Sequence, residues 1–304
     1  MTAGYRALRE SAAWIDLPAR GKIRASGEDR ARLLHAMCTN DVEHLQPGQG
    51  CYAFFLNAQG RILGDANILC FEDHLLLDTE PETRQKLFEH LDRYIIADDV
   101  TIEDQTERMK TIAVEGPRAA EVLAGRGAPL PADPDSWTRW GDAVVVRTDS
   151  TGAGGFFVFA AGAPDVSGIP QASAEDARIV RIENGRPRYG EEISDRFLVQ
   201  ETGQLRGVHF HKGCYLGQEI VERVRSRAQI HRLLRRVEMD TPDPPAAGAK
   251  TEQAEIVSAV FSPALGKTVA MAYVRIPFSE PGTRLDFNGV AAVIVESTRK
   301  PADF

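Results

Sequence analysis

The pattern of apolar residues changes along this chain, and the change limits the folds that the chain can adopt. In the first three quarters, runs with strand alternation are interspersed with runs of helical period, which is typical of α+β proteins. Residues 241–249 are rich in Pro and Ala without periodicity, and only strand-like segments follow. We therefore predict an α+β region over residues 1–228 and a small all-β domain over residues 229–304, whose short strands could hide their edges by closing into a barrel.

Local patterns predict several elements within the first region. Ser26 is predicted to cap a helix that ends at Met37, because an acidic residue follows it by three positions and apolar residues then fall on one face. Residues 52–56, 57–60 and 61–70 are predicted to form a strand, a turn and a second strand. Further predicted elements are strands at 75–77, 100–103, 111–114, 143–147 and 156–159, and helices at 81–94, after Pro117 and at 175–184.

Composition argues against several classes of function. With a formal net charge of −8 and a pI near 5.5, the chain lacks the broad basic surface that nonspecific binding to nucleic acid needs. No apolar run reaches the roughly 18 residues of a membrane-spanning helix. The four cysteines form no CxxC pair, and no signal-peptide or transit pattern is visible, which favours a reducing compartment. We expect a cytoplasmic protein that binds neither nucleic acid nor membrane.

A glycine-rich segment at residues 207–219, GVHFHKGCYLGQE, contains the isolated thiol of Cys214. Glycines allow positive φ angles and close approach of other groups, so we predict a tight loop here rather than a packed helix. Lys212 and His211 precede the thiol and could stabilise a thiolate if their side chains turn toward the sulfur. We interpret Cys214 as a functional group, although free cysteines are often small buried hydrophobes. The other cysteines are predicted to belong to the core: Cys38, Cys51 and Cys70.

Two further groups near this loop have competing interpretations. His209 and His211 alternate with Phe210, as a metal-binding pair would, but with Cys214 they are one ligand short of a familiar site. We therefore predict ordinary loop histidines and no metal. A cationic run follows the loop and could bind an anionic partner or a ligand carboxylate, although such runs are more often a solvated face. Its members are Arg223, Arg225, Arg227, Arg232, Arg235 and Arg236.

Charged residues outside the loop are candidates for a ligand site. Asp65 follows the predicted turn on a strand, and a carboxylate that faces a cavity could accept hydrogen bonds from an aminopyrimidine edge. Arg181 and Glu183 lie on the predicted helix 175–184. The alternative for each of the three is a surface residue or a member of a salt bridge.

These segments, in this order, resemble the glycine-cleavage T-protein (aminomethyltransferase) superfamily over nearly the whole chain. Residues 38–42 (CTNDV) are similar to its LxTNDV motif and residues 57–65 (NAQGRILGD) to NxxGRxLxD. Residues 181–185 (RIENG) are similar to RLEAG, and residues 262–274 (SPALGKTVAMAYV) to SPxLGxxIAxAYV. Residues 212–219 (KGCYLGQE) resemble the KGCYxGQE signature of the YgfZ-type folate-binding branch.

Four positions depart from the aminomethyltransferases within that resemblance. Cys214 stands where they carry KGD, and Gly64 precedes Asp65 where they carry paired acids. Ala153 replaces the Glu that is expected to hold the pterin, and Ala177 replaces an earlier Arg of the family. The departures favour the YgfZ-type branch over the branch that cleaves glycine.

The resemblance implies a T-protein-like α+β fold, with two interleaved α+β subdomains around a central cavity and a terminal β-barrel. It also implies that tetrahydrofolate or a related folate binds in the cavity. The matched cofactor positions are Asn57, Asp65, Arg181 and Glu183. For the YgfZ-type branch it implies support of iron–sulfur cluster assembly or repair in client enzymes such as tRNA-thiolating radical enzymes. Cys214 would be the functional thiol, assisted by Lys212.

Two alternatives remain open at the level of sequence. One is an enzyme, a folate-dependent aminomethyltransferase or demethylase that uses tetrahydrofolate as the one-carbon acceptor. The other is a redox-sensing or client-docking adaptor whose folate site is vestigial, so that Cys214 matters and folate does not. Binding of tetrahydrofolate separates the vestigial site from the other two interpretations.

Overall fold

The computed structural model describes residues 1–162, 164–227, 230–287 and 289–296, which form three antiparallel sheets of five strands each. The strands are β1 (Ala13–Asp16), β2 (Gly21–Ser26), β3 (Gly50–Leu56), β4 (Ile62–Cys70), β5 (His74–Thr79), β6 (Thr101–Asp104), β7 (Lys110–Glu115), β8 (Trp137–Trp140), β9 (Ala143–Val146), β10 (Gly155–Ala160), β11 (Arg232–Met239), β12 (Ala254–Ser262), β13 (Lys267–Arg275), β14 (Arg284–Phe287) and β15 (Val290–Val295). The helices are α1 (Ala3–Glu10), α2 (Arg30–Met37), α3 (Arg84–Asp92), α4 (Ala119–Ala124), α5 (Ala174–Glu183) and α6 (Gln218–Arg227). Among the described residues, no helix has the length and apolar character needed to cross a membrane.

The first sheet has the order β3-β4-β5-β2-β6 and positions the candidate ligand residues. On β3 and β4, Tyr52 lies opposite Asn67 and Phe54 lies opposite Asp65, so these four side chains share one face. The other face is covered by α2 and α3, whose Leu34 and Leu87 are fully buried there. The predicted strand, turn and strand of residues 52–70 are confirmed.

The second sheet has the order β1-β7-β10-β9-β8, with α4 against one side and α1 and α5 against the other. The chain begins in this sheet, leaves it to build the first sheet, and returns with β7. After α5 the chain crosses back, and Tyr189, Val208 and Val221 pack on β3 and β4 of the first sheet. The two α+β subdomains are therefore interleaved, as predicted.

The third sheet, ordered β12-β13-β11-β15-β14, is the all-β domain. Its inner face is a cluster made of residues from its own strands and loops, from Ile256 on β12 to Phe287 on β14, so the sheet curls around a core of its own. On its outer face, Met271 and Tyr273 pack against Ile182 of α5. The predicted boundary between residues 228 and 229 lies outside the described residues.

The chain around α2 differs from the local prediction. Ser26 is the last residue of β2, where it pairs with His74 and Thr101, and it does not cap the helix. Gly27 follows with a φ of +105°, and a Cβ at that position would lie 2.0 Å from the carbonyl oxygen of Asp99. The chain thus turns sharply between the strand and the helix, at a position that only glycine tolerates.

Several short elements escape the sequence patterns. The strands β1 and β8 have four residues each, too few for alternation to be recognised. The apolar periodicity of α6 is weak because the cationic run places arginines at several positions of this helix.

Candidate functional site

A cavity of about 390 Å³ lies between the two α+β subdomains. The first sheet contributes Tyr52, Asp65 and Asn67 to its wall, and α5 contributes Ala177 and Arg181. Further wall residues come from β1 and the segment before β2, from β5 and its end, from β10 and the loop before it, and from the segment after α5. They include Ile15, Leu17, Arg20, Asp78, Glu80, Asp149, Phe157 and Arg186. Its size falls in the range of small-molecule sites, which is about 300 to 1,000 Å³.

Asp65 is a buried acid of this wall. Tyr52 Oη donates a hydrogen bond to Asp65 Oδ2 at 2.6 Å. Burial is the largest influence on the carboxyl and raises the pKa of Asp65 from 3.8 to about 6, although the hydrogen bond from Tyr52 opposes the change. A carboxyl group with this pKa can hold or release a proton close to neutral pH.

Asn67 lies two residues further along β4, on the same face as Asp65. Its Nδ2 donates to Asp78 Oδ2 at 3.2 Å, whereas its Oδ1 is buried without a hydrogen-bond partner among the described residues. This amide oxygen can accept an N–H from a ligand next to the Asp65 carboxylate. Sequence reasoning missed Asn67, although alternation along the strand from Asp65 would have indicated it.

A network of buried charges adjoins Asn67. Asp78 accepts hydrogen bonds from Arg20 Nη2 at 2.7 Å and from Lys22 Nζ at 2.6 Å. Burial opposes ionisation of Asp78, but the charges of Arg20 and Lys22 outweigh it and lower the pKa of Asp78 to about 2. Arg20 also binds Glu80 at 2.5 Å. The network holds the guanidinium of Arg20 at the cavity wall with its charge balanced. Sequence reasoning missed all four members of the network, which are Arg20, Lys22, Asp78 and Glu80.

Arg181 lines the cavity from α5, but protein partners occupy its guanidinium. Its Nη1 donates to Glu192 Oε2 at 2.6 Å and to the Arg186 carbonyl at 2.8 Å, and its Nη2 lies 3.1 Å from a Glu191 carboxylate oxygen. Arg181 is thus part of a buried ion-pair cluster. Contact between Arg181 and a folate stays a prediction.

Glu183 lies on the opposite side of α5 from Arg181, because two residues along a helix are about 200° apart. Its carboxylate accepts hydrogen bonds from Tyr5 Oη, Arg9 and Ser262 Oγ, and its side chain is only 2% exposed. Burial and the neighbouring Glu183 raise the pKa of Tyr5 to about 12, so Tyr5 remains a donor. The structure places Glu183 where α1, α5 and the all-β domain meet, in the role of a structural link and not on the cavity wall.

Asn57 lies in the turn between β3 and β4, apart from the central cavity. Its Oδ1 accepts hydrogen bonds from the backbone N–H groups of Gln59 at 2.9 Å and Arg61 at 3.0 Å. The side chain therefore stabilises the turn. With Leu216, Asn57 borders a separate small groove on the surface.

Gly64, which stands where the resembled family carries the first of two paired acids, faces away from the cavity. A Cβ at Gly64 would lie 3.0 Å from the Thr83 Cβ and 3.1 Å from either Leu87 Cδ. The neighbouring Asp65 is the residue that faces the cavity. The missing acid is thus explained by close packing beneath β4, and the cavity keeps its own acid.

The two alanine replacements leave apolar surface at the cavities. Ala177 lines the central cavity, and Ala153 lines an adjoining cavity of about 450 Å³ that shares Asp149 and Arg186 with it. Both alanines pack against the buried cluster of the second sheet. Neither side chain can hydrogen-bond a ligand, so a pterin held at this end would need other partners.

The glycine-rich loop is fastened to the end of α2. Lys212 Nζ donates to the backbone carbonyls of His35, of Cys38 at 2.8 Å and of Asn40 at 2.7 Å. Its ammonium group therefore pairs with carbonyls that the helix leaves unsatisfied at its C-terminal end. The structure gives Lys212 these acceptors in place of the Cys214 sulfur that the sequence suggested.

Two of the three loop glycines are required by geometry, which confirms the predicted tight loop. Gly217 has a φ of +84°, and a Cβ there would lie 2.7 Å from the Asn57 carbonyl oxygen. A Cβ at Gly207 would lie 2.8 Å from the Phe54 ring. A Cβ at Gly213 would lie 3.7 Å from its nearest neighbour, so that position is open.

Cys214 is exposed, although Lys212 and Tyr215 on either side of it are buried. The loop therefore holds this thiol in solvent on an anchored backbone. Burial raises the pKa of each of the other cysteines. These three are the buried Cys38 and Cys70 and the half-buried Cys51.

The histidines and arginines near the loop form no common site. His209 and His211 are exposed with ring centroids 6.4 Å apart, and in the described part of the chain no group of three or more His, Cys, Asp or Glu is placed to hold a metal ion. The cationic run is divided among separate ion pairs. These are Arg223–Glu219, Arg225–Glu222, Arg232–Glu201 and Arg236–Glu238. The side chain of Arg227 lies outside the described residues.

Comparisons with known proteins agree with this architecture. Residues 1–136 match the family model of the GCVT N-terminal domain. An aminomethyltransferase from Rubrobacter xylanophilus is 30% identical over 306 residues, which cover 92% of this chain and 80% of the relative. The chain belongs to the T-protein (aminomethyltransferase) superfamily.

Two further comparisons extend this result. A chloroplastic protein of Arabidopsis thaliana, named as a transferase, is 30% identical over 249 residues, 77% of this chain, and the chain spans 57% of its length. The crystal structure of the glycine cleavage system aminomethyltransferase T from Bartonella henselae superposes with a TM-score of 0.86 at 21% identity, over 96% of this chain and 87% of that one. The T-protein-like fold predicted from the sequence is confirmed.

Proposed function

We propose that this T-protein relative belongs to the YgfZ-type branch, binds tetrahydrofolate or a related folate, and supports assembly or repair of iron–sulfur clusters in client enzymes of the cytoplasm. The clients include tRNA-thiolating radical enzymes. Cys214 is the functional thiol, acting as a nucleophile toward sulfur or as a transient soft ligand for iron.

One observation carries this proposal: the structure exposes Cys214 on a loop that the buried side chains of Lys212 and Tyr215 hold in place. A free cysteine that served only packing would be expected in the protein core. The other three cysteines are buried or half-buried there. Lys212 supports the thiol indirectly, because its three carbonyl acceptors fix the loop on α2. A thiol held in solvent on a fixed backbone is suited to meeting another macromolecule.

The central cavity fits a folate on the chemistry of its donors and acceptors. Asp65 and the Oδ1 of Asn67, which has no hydrogen-bond partner in the described part of the chain, present two acceptors side by side that match the N–H donors of an aminopyrimidine edge. Ile15 and Phe157 offer apolar surface to a flat ring. A bound folate would supply a one-carbon carrier. The chain's own residues bind and orient it, and Asp65 can hold a proton beside it.

The cavity and the thiol loop are connected by direct contacts. Tyr52, whose hydroxyl donates to Asp65, also packs its ring under the Arg206 guanidinium. The Arg206 Cζ lies 4.3 Å from the centroid of the Tyr52 ring. Asn40 Nδ2 donates to the carbonyls of Tyr52 at 2.8 Å and Arg206 at 3.1 Å. Arg206 begins the segment that Lys212 anchors, so a ligand that changes the Asp65–Tyr52 bond acts on the loop that carries the thiol.

An aminomethyltransferase is the second candidate. The pKa of about 6 for Asp65 favours it, since a cavity acid with this pKa can serve proton transfer. Ala153, which replaces the Glu that is expected to hold the pterin in the resembled family, and Ala177, which replaces an Arg of that family, weigh against it. We therefore place the accessory role first.

Replacement of Cys214 by Ser tests the proposal. The variant should fold and bind tetrahydrofolate nearly as the wild type does, because the side chain is exposed, but it should fail to restore a tRNA-thiolating radical enzyme in a strain that lacks the protein. Cys38→Ser, Cys51→Ser and Cys70→Ser are the controls, and each should cost about 1 to 3 kcal/mol of stability and spare function where the fold survives.

Two results would contradict the proposal. Full complementation by the Cys214→Ser protein, shown to be folded by its thermal melt, would remove the thiol from the function. Absence of heat on calorimetric titration with millimolar tetrahydrofolate, where a site of about 4 kcal/mol still responds, would remove the folate.

A further inference from the structure

A small groove of about 300 Å³ lies beside the thiol loop, outside the central cavity. One wall is the turn between β3 and β4, at Asn57 and Ala58, and the floor is formed by Leu63 and by Leu216 of the loop. The other wall is the face of α3 and of the residues that follow it. That wall consists of Lys86, Glu89, His90, Arg93 and Tyr94.

The α3 wall carries positive charge that the described part of the protein leaves without an ion pair. Lys86 and Arg93 form none among the described residues, and Lys86 Nζ donates only to Tyr189 Oη at 3.2 Å. Glu89 accepts a hydrogen bond from Gln85 at 2.7 Å. Lys86 and Arg93 are seven residues apart, about 10 Å along a helical axis, so they stand at the two ends of the groove.

His90 lies between the two cations and is 8% exposed. Burial, with the nearby charges of Arg93 and Lys86, lowers the pKa of His90, so the ring is neutral at pH 7. Its Nε2 is buried and has no hydrogen-bond partner within the described residues. The His90 side chain thus brings to the groove wall a buried polar atom that the described residues leave unsatisfied, which is costly unless a water or a ligand pairs with it.

The groove adjoins both the thiol and an apolar surface. Leu216 is two residues from Cys214, which limits their Cα separation to about 7 Å. Tyr94 of the groove wall is 39% exposed, and Ile96, two residues further along the chain, is 88% exposed. Large apolar side chains next to a charged groove are typical of a surface that a protein segment covers.

We propose that this groove, between α3 and the β3–β4 turn, docks an acidic segment of a partner protein and so brings a disulfide of that partner to Cys214. The Cys214 thiolate attacks one sulfur of that disulfide, a mixed disulfide forms, and the other sulfur leaves as a thiolate. Carboxylates of the segment pair with Lys86 and Arg93, and an aliphatic side chain packs on Leu63 and Leu216. The inference rests on the proposed role of Cys214 as a thiol that reacts with partners, and it adds the chemistry by which a partner is chosen.

Disulfide exchange with two activated peptides tests the groove. The probes are acetyl-Glu-Leu-Glu-Cys-amide and acetyl-Lys-Leu-Lys-Cys-amide, each as a mixed disulfide with thionitrobenzoate. The Cys214 thiolate attacks the peptide sulfur, a protein–peptide disulfide forms, and thionitrobenzoate leaves with the electron pair of the broken bond. Its release gives the rate, and the Cys214→Ser protein gives the background.

The wild-type protein should react about tenfold faster with the acidic peptide than with the basic one at low salt, and high salt should reduce the ratio. The double variant Lys86→Glu, Arg93→Glu should invert the preference. The matched control Lys110→Glu, Arg275→Glu makes the same change in net charge at exposed positions of the second and third sheets and should keep the wild-type ratio. Each ratio compares the rates of the two peptides with the same protein. A change in the intrinsic reactivity of the thiol therefore affects both rates equally and cancels from the ratio.

Equal ratios in the wild type and the groove variant would overturn the inference, and so would equal ratios in the groove variant and the matched control. The assay involves neither folate nor an iron–sulfur enzyme. A failure of the proposed function, seen as complementation without Cys214, therefore leaves the peptide ratios interpretable. Conversely, a failed preference in the peptide assay leaves the complementation result intact.

Discussion

At the scale of single residues, Asp65 combines burial and charge in a way that folding alone does not favour. Its carboxyl is 7% exposed and has only Tyr52 as its side-chain donor, and no cation pairs with it directly among the described residues. Asp78, which is fully buried, has two cations against it. The contrast indicates that Asp78 is a structural charge, and it supports the proposal that Asp65 binds a ligand.

Asp65→Asn should stabilise the protein without ligand at pH 7.5. The pKa of Asp65 is 3.8 when unperturbed and about 6 in the fold, so the unfolded chain releases this proton first. The wild type therefore loses stability as pH rises from about 4 to 6, by up to about 3 kcal/mol, and the loss persists above pH 6. Urea unfolding of both proteins between pH 4 and 8 should show a difference that grows over this interval and then stays constant.

The same variant supplies its own functional control. Asp65→Asn should bind tetrahydrofolate at least tenfold more weakly by calorimetry, because an ionised acceptor is replaced by a neutral amide. A variant that is less stable than the wild type at pH 7.5, or that binds with unchanged affinity, would show that the carboxylate serves the fold and not the ligand.

At the scale of elements, the join between the thiol loop and α2 brings together two motifs that are far apart in sequence. Lys212 reaches carbonyls at the end of α2, and Thr39 Oγ1 bonds the carbonyl of Gly207 at 2.5 Å. His209 N donates to the Thr39 carbonyl at 2.9 Å. The TND-like motif (residues 38–42) and the KGC-like motif (residues 212–219) therefore form one structural unit. This unit holds Cys214 in its exposed position.

Lys212→Met should destabilise this unit. Methionine fills a similar volume but leaves the carbonyls of His35 and Cys38 without their Lys212 donor and leaves the Asn40 carbonyl only the weak donor Cys38 Sγ, so the free energy of unfolding should fall by about 3 kcal/mol. Urea unfolding measures the change, with Lys110→Met on the exposed end of β7 as the matched control. Wild-type stability of the Lys212 variant would mean that the ammonium does not hold the loop, and its earlier interpretation as a partner of the thiol would regain support.

The sequence predicted elements well where pattern and chemistry agree, and it failed where a side chain's partner lies far along the chain. The strand, turn and strand around Asn57 follow from local alternation and turn residues. The buried partners of Lys212 and Glu183 do not, because they belong to α2, α1 and β12. Asn67 was accessible from period-two spacing, yet Arg20 and Asp78 become a pair only once β2 lies beside β5.

At the scale of the whole molecule, α5 joins all three sheets. Its Val180 packs into the second subdomain, its Arg181 lines the cavity beside the first, and its Ile182 packs on the all-β domain. Glu183 then ties α1 to Ser262 at the end of β12. Because one helix borders every unit, its rotation would change the cavity and the domain arrangement together.

Glu183→Ala should weaken the attachment of the all-β domain. The change leaves the hydroxyls of Tyr5 and Ser262 without their common acceptor, whereas the Arg9 side chain is 34% exposed and can be solvated, so the cost should be about 1 to 3 kcal/mol. Calorimetric melting should show a lower Tm or a separate early transition. If Glu183 instead contacts the folate, the melt will change little and tetrahydrofolate affinity will fall, whereas a structural link predicts the reverse.

The final prediction concerns the activity of the whole molecule. No transfer of an aminomethyl group from a lipoyl carrier to tetrahydrofolate is expected in a reconstituted glycine-cleavage assay. Asp65 retains a pKa suited to proton transfer, so the acid is not what is missing. What is missing are polar groups at Ala153 and Ala177, where the resembled family carries the Glu that is expected to hold the pterin and an Arg, so a substrate ring lacks partners that would hold it in a reactive pose.

Restoration should need both alanine positions, because Ala153 and Ala177 line different cavities. The single variant Ala153→Glu should therefore remain inactive. Gly64→Asp should mainly destabilise, because its side chain would meet Thr83 and Leu87 at about 3 Å beneath β4 and would not reach the cavity. Turnover by the wild type at even a modest fraction of a true T-protein's rate would instead make aminomethyl transfer the function, and the exposed thiol would then need another explanation.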